Sequence, residues 1–300
     1  QGNPLLEANP GGAPCNVLSM LQKLGDKTAF IGKVGNDGFG HLLTKAVQEQ
    51  GIDTTGLVYD NDVHTTLALV LKKENGDRDF AFYRNPGADM NLKEKEVNES
   101  LIASSSIFHF GTLSLTDESV KKATQKAVKV AKENGLTITF DPNLREPLWK
   151  SLEEAHEQVA WGLQQADVVK ISDNEITWFT GMDNYDEGIA FLQKEYPNLK
   201  LICLSMGGDG SKAVYRDTHV EYPAFLQEAT IETTGAGDTF CACMIHTVLE
   251  NGIDHLDEEK LKEMLKFANA AASLVTTKKG ALRVMPTKEE VETFIENFKR

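Results

Sequence analysis

Thr233-Thr234-Gly235-Ala236-Gly237-Asp238-Thr239-Phe240 carries two glycines and a carboxylate into an apolar run from Phe240 to Leu249. The run reads as a buried helix with the glycines at its N-terminus. A helix N-terminus offers N–H groups without acceptors and a partial positive charge, which together bind anions. Glycine lets the backbone approach a phosphate closely. An acid beside such a site is a poor anion ligand. It makes sense as a base that takes a proton from a hydroxyl while neighbouring N–H groups hold the developing phosphoryl charge. A Gly-rich turn with Asp238 as an ordinary helix-start residue is the simpler alternative, and for GAGD alone the better one. The rest of the chain shifts the balance.

At 300 residues the chain can bury a large core. Its hydrophobic content of 41% and charged content of 25% match a globular protein. Net charge is 31 − 45 = −14, which argues against a nucleic-acid or membrane-surface protein, since both need clustered basic residues. A phosphate can still be held locally by backbone N–H groups. No apolar run reaches the ~20 residues of a membrane helix, and no signal peptide is visible. Cys15, Cys203, Cys241 and Cys243 form no CxxC pair. They read as free buried thiols of a reducing cytosol, so a cytoplasmic location is expected.

Strand-like and helix-like segments alternate. Residues 28–34 form a short apolar strand. Phe39, Leu42, Leu43, Ala46 and Val47 recur at helical spacing, and Gly51 closes that helix. Residues 65–71 and 80–83 read as strands around the polar turn Lys73-Glu74-Asn75-Gly76-Asp77, a hairpin candidate that is either a sheet edge or a small lid. Further strands are expected at 107–110, 136–140, 167–171 and 199–204, with helices near 119–133 and 152–165. Residues 212–215 and 220–222 form a second hairpin candidate. Thr287 with Glu290 makes a capping-box pattern for a last helix. Repeated strand–helix units predict a mostly parallel sheet with helices on both faces.

Several loops at predicted strand ends are rich in polar residues or glycine. Asp141-Pro142-Asn143-Leu144-Arg145 follows one strand, where ligands bind in parallel sheets. A tight turn with Asp141 and Asn143 bonding their own backbone is the alternative. Ser172-Asp173-Asn174-Glu175 follows the next. Glu175 is a candidate for a hydrated magnesium ion, or a first-turn glutamate favoured by the helix dipole. Ser205-Met206-Gly207-Gly208-Asp209-Gly210 lets the chain pass close to a nucleotide, or makes a β-turn; it is not a Walker A loop. Near the start, Gly11-Gly12-Ala13-Pro14-Cys15-Asn16 enters a helix and offers backbone groups and the Asn16 amide to a polyol. The three strand-end loops and the GAGD helix start would converge on one edge of a parallel sheet.

At these residues the chain resembles the ribokinase-like (phosphofructokinase B type) family of sugar kinases. Gly11-Gly12-Ala13-Pro14-x-Asn16, with Gly25 and Gly35 beyond, is similar to its first motif, and residues 233–238 to its second. The Asp141-to-Trp149 stretch, and Lys170-x-Ser172-Asp173-x-Glu175, resemble the fructokinase branch. The resemblance spans essentially the whole chain. It implies a single ribokinase-like α/β domain over residues 1–300, with a mostly parallel sheet and a small β-strand lid that includes residues 65–84. It further implies MgATP-dependent phosphorylation of fructose at its 6-hydroxyl. Asp238 would be the general base, with the N–H groups of Gly235, Ala236 and Gly237 as the anion hole. Gly11, Gly12 and Asn16 would contact the sugar. Arg84 and Arg145 would lie on the substrate or phosphate side, and Glu175 would order the waters of the metal. Lys170, Ser205, Gly207, Gly210 and Asn269 would line the ATP site. A homodimer through the lid is implied.

Three departures stand out. Glu232 replaces the family's usual Asp before the Thr pair, which bears on potassium activation. Leu18 replaces a small residue. The family's N-terminal strand, with its sugar-binding Asp, is not among these residues, so this chain alone is expected to bind sugar poorly. A 2-keto-3-deoxygluconate kinase, and a non-catalytic sugar sensor on a kinase fold, are the competing readings.

Overall fold

The computed structural model describes residue 3 and residues 6–72 and 78–298. Helix α1 (Ala13–Lys23) leads to strand β1 (Ala29–Gly35), helix α2 (Gly38–Glu49) and strand β2 (Asp53–Asp60). β1 and β2 pair in parallel as a two-stranded sheet. Strands β3 (Leu67–Lys72) and β4 (Arg78–Tyr83) pair only with each other, antiparallel. The predicted hairpin is therefore a separate sheet rather than an edge of the main one. Its turn, residues 73–77, lies outside the described residues. β2 was not anticipated; Thr54, Thr55 and Gly56 interrupt any apolar alternation there.

A short helix α3 (Glu99–Ala103) precedes the main sheet, in which β5 (Ile107–Gly111), α4 (Glu118–Glu133), β6 (Thr137–Asp141), α5 (Leu152–Gln165) and β7 (Val168–Ser172) alternate. Helices α6 (Asp173–Thr180) and α7 (Tyr185–Glu195) follow, then β8 (Leu201–Ser205) and the antiparallel pair β9 (Ser211–Tyr215) and β10 (Thr218–Tyr222). The strand order is β10-β9-β8-β7-β6-β5, parallel from β5 to β8. Helices α8 (Ala236–Asn251), α9 (Glu258–Val275) and α10 (Lys288–Asn297) close the chain. The Thr287–Glu290 capping box forms as expected.

Side-chain alternation divides the sheet into two unlike faces. Phe110, Ile138, Phe140, Val169, Ile171, Ile202 and Leu204 face one way, into a core they share with α4, α5, α6 and α7. Val168, Leu201, Cys203 and Ala213 face the other way, into the core built with α1, α8 and α9. That second face also carries Asp141 and Lys170, so it is the only one of the two with buried charges along its strands. Helices thus cover both faces.

The helix predicted from the spacing of Phe39 to Val47 forms, but its packing side is not set by its large apolar residues. Phe39 and Leu42 of α2 are exposed, while Gly40, Thr44, Ala46 and Val47 are buried. Glycine fits the close approach there: a Cβ on Gly40 would lie 1.9 Å from the Gly35 carbonyl oxygen, so the helix backs onto β1 through its smallest residue rather than its largest. No helix among the described residues is long and apolar enough to cross a membrane.

Candidate active site

Two helices start at glycine and have no side chain capping their first turn: α1, after Gly12, and α8, after Gly235. Every other α-helix among the described residues is capped, by Asp37, Asn98, Asp117, Ser151, the Ser172–Glu175 box, Asn184, Asp257 or Thr287. The two bare N-termini meet. Asn16, in the first turn of α1, donates from its amide Nδ2 to Asp238 Oδ2 in the first turn of α8, at 2.8 Å. At the other end Asp26, just past α1, contacts His246 of α8 at 2.8 Å. The helices therefore run parallel, and their positive ends converge on one carboxylate. Asn16 Oδ1 is buried without a partner. Gly11 and Gly12 border open space: a Cβ on either would meet nothing within 4 Å.

Gly235 adopts φ 81°, a left-handed conformation that other residues enter only with strain. Ala236 N–H donates to the Thr233 carbonyl at 3.2 Å. Of the three amides expected to form an anion hole, the middle one thus already has a turn partner. Gly237 is needed for a different reason. A Cβ there would lie 3.3 Å from Lys170 Nζ, so the absent side chain makes room for an ammonium group beneath the helix start.

Lys170 is buried and sits 3.3 Å from Asp141 on the neighbouring strand. Burial disfavours its charge, but Asp141, then Glu175 and Asp238 among others, outweigh that and hold its pKa above the ordinary lysine value. Burial pushes the Asp141 carboxyl up, against the pull of Lys170, with Glu175 and Asp238 adding to the rise. Burial also raises Asp238, and the Asn16 hydrogen bond with the charges of Lys170 and Arg145 only partly offsets it. The centre is three carboxylates around one fixed cation, with Arg145 exposed at its rim. Arg145 Nη1 donates to the Leu144 carbonyl at 3.0 Å.

Other predicted residues are already engaged. Glu175 Oε2 accepts from Ser172 N and Oγ at 2.9 and 2.7 Å, and Oε1 accepts from Leu144 N at 2.7 Å. It caps α6 and ties the Asp141 loop to that helix; despite burial, Lys170 and these bonds keep its pKa low. Both the capping and the tight-turn readings hold, since Asn143 N also donates to Asp141 Oδ1 at 3.2 Å. Asn269, on α9, accepts from Ser211 Oγ at 2.9 Å and donates to the Tyr222 and Pro223 carbonyls at 2.9 and 3.2 Å. Arg84 is buried. It donates to Thr116 Oγ1 and the Leu113 carbonyl at 2.9 Å, and contacts Asp89 Oδ2 at 2.7 Å. It anchors the end of β4. Ser205 ends β8, and the turn beyond it holds Gly207 in open space at φ 52° and Gly210 at φ 101° against the Tyr222 carbonyl. Sequence reasoning did not single out Asp141 and Lys170 as an ion pair. Their signal was one acid and one base at adjacent strand ends, legible only once β6 and β7 are known to be neighbours.

An acid at the start of a glycine-entered helix, with an internal cation and a second bare helix N-terminus, on an open α/β sheet, is the arrangement a phosphotransferase acting on a hydroxyl requires. Comparison with known proteins makes this specific. Residues 4–288 match the pfkB family carbohydrate kinases, and the chain belongs to that family. Fructokinase-1 of Zea mays is 41% identical over 287 residues, 96% of this chain and 88% of that one. Among solved structures, the fructokinase of Vibrio cholerae O395 bound to fructose, ADP and a calcium ion is similar at TM-score 0.86 and 29% identity, covering 96% of this chain and 91% of that one. A protein of E. coli bearing the ribokinase II name, solved with ATP and Mg2+, is similar at TM-score 0.87 and 27% identity, covering 99% and 92%.

Proposed function

We propose that this carbohydrate kinase transfers the γ-phosphoryl group of MgATP to the 6-hydroxyl of fructose, with Asp238 as general base. The single observation that carries the reading is the Asn16–Asp238 hydrogen bond at the meeting of two uncapped helix N-termini. A hydroxyl next to Asp238 would lose its proton to that carboxylate as its oxygen bonds to the γ-phosphorus and the bond from that phosphorus to the β-phosphate oxygen breaks, releasing ADP. The first-turn amides of α8 and the Lys170 ammonium then face the charge on the transferring group. Asn16 Oδ1, buried and without a protein donor, fits a second sugar hydroxyl. Gly11 and Gly12 bring backbone close to the sugar. Arg145, at the rim, serves the phosphate side, and Arg84 acts by holding the hairpin that covers the sugar.

Among the described residues no group of three or more His, Cys, Asp or Glu side chains could ligate a metal directly, so a divalent cation would be held through its water. Glu175 lies within the field of Lys170 and Asp141, but both its oxygens already accept protein hydrogen bonds, so it would reach metal-bound water by a remaining lone pair. The metal supplies charge neutralisation for the phosphates. Ser205, Gly207 and Gly210 line the nucleotide path, while Asn269 shapes it by fixing the end of β10. Glu232 Oε1 accepts from the Gly280 amide at 2.7 Å, so the loop that would frame a potassium site is tied to the turn at Gly280. A single kinase unit, a homodimer through the hairpin of β3 and β4, and a cytoplasmic location complete the reading.

The test is an ADP-release assay with MgATP against fructose, glucose, ribose, 2-keto-3-deoxygluconate and fructose 6-phosphate. Turnover confined to fructose is expected. Turnover of the keto acid alone would reassign the substrate, and turnover of none would favour a sugar sensor.

A further inference from the structure

We propose that Asp26 and His246 form a positioning pair that sets the axial register of α1 against α8, and through it the contact between Asn16 and Asp238. The proposal rests on the reading of Asp238 as the base.

Val17, Met20 and Leu21 on α1 and Phe240, Met244 and Ile245 on α8 belong to one buried apolar core. Such contacts are non-directional, so they hold the helices together without fixing how far one slides along the other. The parallel arrangement adds a stress: two aligned dipoles side by side repel. Directional contacts occur at the two ends. One is Asn16 Nδ2 to Asp238 Oδ2 at 2.8 Å. The other is His246 Nδ1 to Asp26 Oδ2 at 2.8 Å, with side chains only 12% and 17% exposed. His246 lies eight residues beyond Asp238, about 12 Å along the helix.

Asp26 is held to its own helix. Its N–H donates to the Leu21 carbonyl at 3.0 Å, and Gly25 before it turns at φ 93°. His246 also faces Glu250, with Nε2 at 3.4 Å, so its ring is aligned from both sides. An acid just past the C-terminus of α1 is unfavourable to that helix by itself. The histidine of the neighbouring helix is what makes its placement favourable. A slip of 1 Å at this end is transmitted along two stiff helices to the carboxylate that must meet the sugar hydroxyl.

A double-mutant cycle tests this. His246→Leu should lower kcat about fivefold with KM for MgATP unchanged, since misplacement of a base by a fraction of an ångström acts on the chemical step. His246→Asn, whose amide nitrogen replaces Nδ1, should stay within about twofold of the parent. In an Asn16→Ala background His246→Leu should cause no further loss, because the contact it serves is already gone. Losses that multiply across the two sites, or an unchanged kcat for His246→Leu, would overturn the proposal. If His246→Leu does not fold, Asp26→Ser carries the same cycle. Asp238→Asn, assayed alongside, separates the two levels: full activity there would sink the base assignment itself.

Discussion

Asn16 and Asp238, 222 positions apart in sequence, are joined by a 2.8 Å hydrogen bond from the asparagine amide to Oδ2 of the carboxylate. The bond stabilises the ionised acid, which burial opposes. It also fixes which oxygen of Asp238 stays open to a substrate. The first helix of the described chain and a helix far later in the sequence therefore meet at one carboxylate.

The pH profile should report this balance. The pKa of Asp238 is raised by burial; acting as the proposed base it must be ionised, so activity should be lost as pH falls through that raised value. The acid limb of kcat/KM should lie above the ordinary aspartate range of about 4. Asn16→Ala removes a hydrogen bond to the ionised form and should move the limb to higher pH, with kcat down about tenfold. A limb that stays in place would separate Asn16 from the titration of Asp238.

Asp238→Asn should reduce turnover by about a thousandfold or more, within the range typical of removing a general base. Nucleotide affinity, followed by a fluorescent ATP analogue, should change little because the first-turn amides remain. Retained turnover would remove Asp238 from the mechanism.

Lys170→Met leaves Asp141 buried without its cation. Breaking a buried pair this way costs about 3–5 kcal/mol, to be read as a lower urea midpoint. The folded pKa of Lys170 is raised, so its contribution is complete at neutral pH and declines only as pH climbs past the ordinary lysine value. Asp141→Asn added to Lys170→Met should recover part of the loss. Absence of any recovery would mean that packing, not charge, accounts for it.

Gly235→Ala and Gly237→Ala should behave differently although two positions apart. At Gly235 the backbone has φ 81° and a new Cβ would lie 2.6 Å from Ala281 Cβ. A cost of about 1–3 kcal/mol is expected. At Gly237 the backbone is helical and the new methyl meets only the flexible end of Lys170, 3.3 Å away. Stability should be nearly unchanged there while kcat falls, since the ammonium is displaced from beneath the helix start. Equal melting temperatures for the two variants would contradict this account.

Asp37 caps α2 through Gly40 N and holds the root of the hairpin through Thr65 N, each at 2.8 Å. Burial alone would raise its pKa, but these bonds lower it to about 2. Its contribution is therefore present above the ordinary carboxylate range and lost as pH falls toward that value. Asp37→Ala should cost about 1–2 kcal/mol near pH 7, as for other lost helix caps. The gap between variant and parent in denaturant midpoint should close on acidification.

Much of this was legible in the sequence. The alternation of strands and helices from residue 107 onward, the two hairpins and the GAGD helix entry all follow from local chemistry: period-two and period-3.6 patterns, glycine at sites of positive φ, and caps such as Thr287 with Glu290. Asp238 and Asn16 stood out because glycines before a helix are informative wherever the helix ends up. What sequence reasoning missed has a common cause. The strand β2 has no apolar alternation of its own and exists because β1 offers it a partner. Phe39 and Leu42 sit at helical spacing but face out, because the close backbone approach at Gly40 decides which side of α2 packs. The pairing of Lys170 with Asp141, the parallel course of α1 and α8, and the engagement of Arg84, Glu175 and Asn269 by protein groups are all contacts between distant segments. The sequence determined which residues could do the chemistry, since that depends on residue type and local backbone. Only the tertiary structure decided which of them face one another, because that depends on strand order and helix register, which local patterns do not encode.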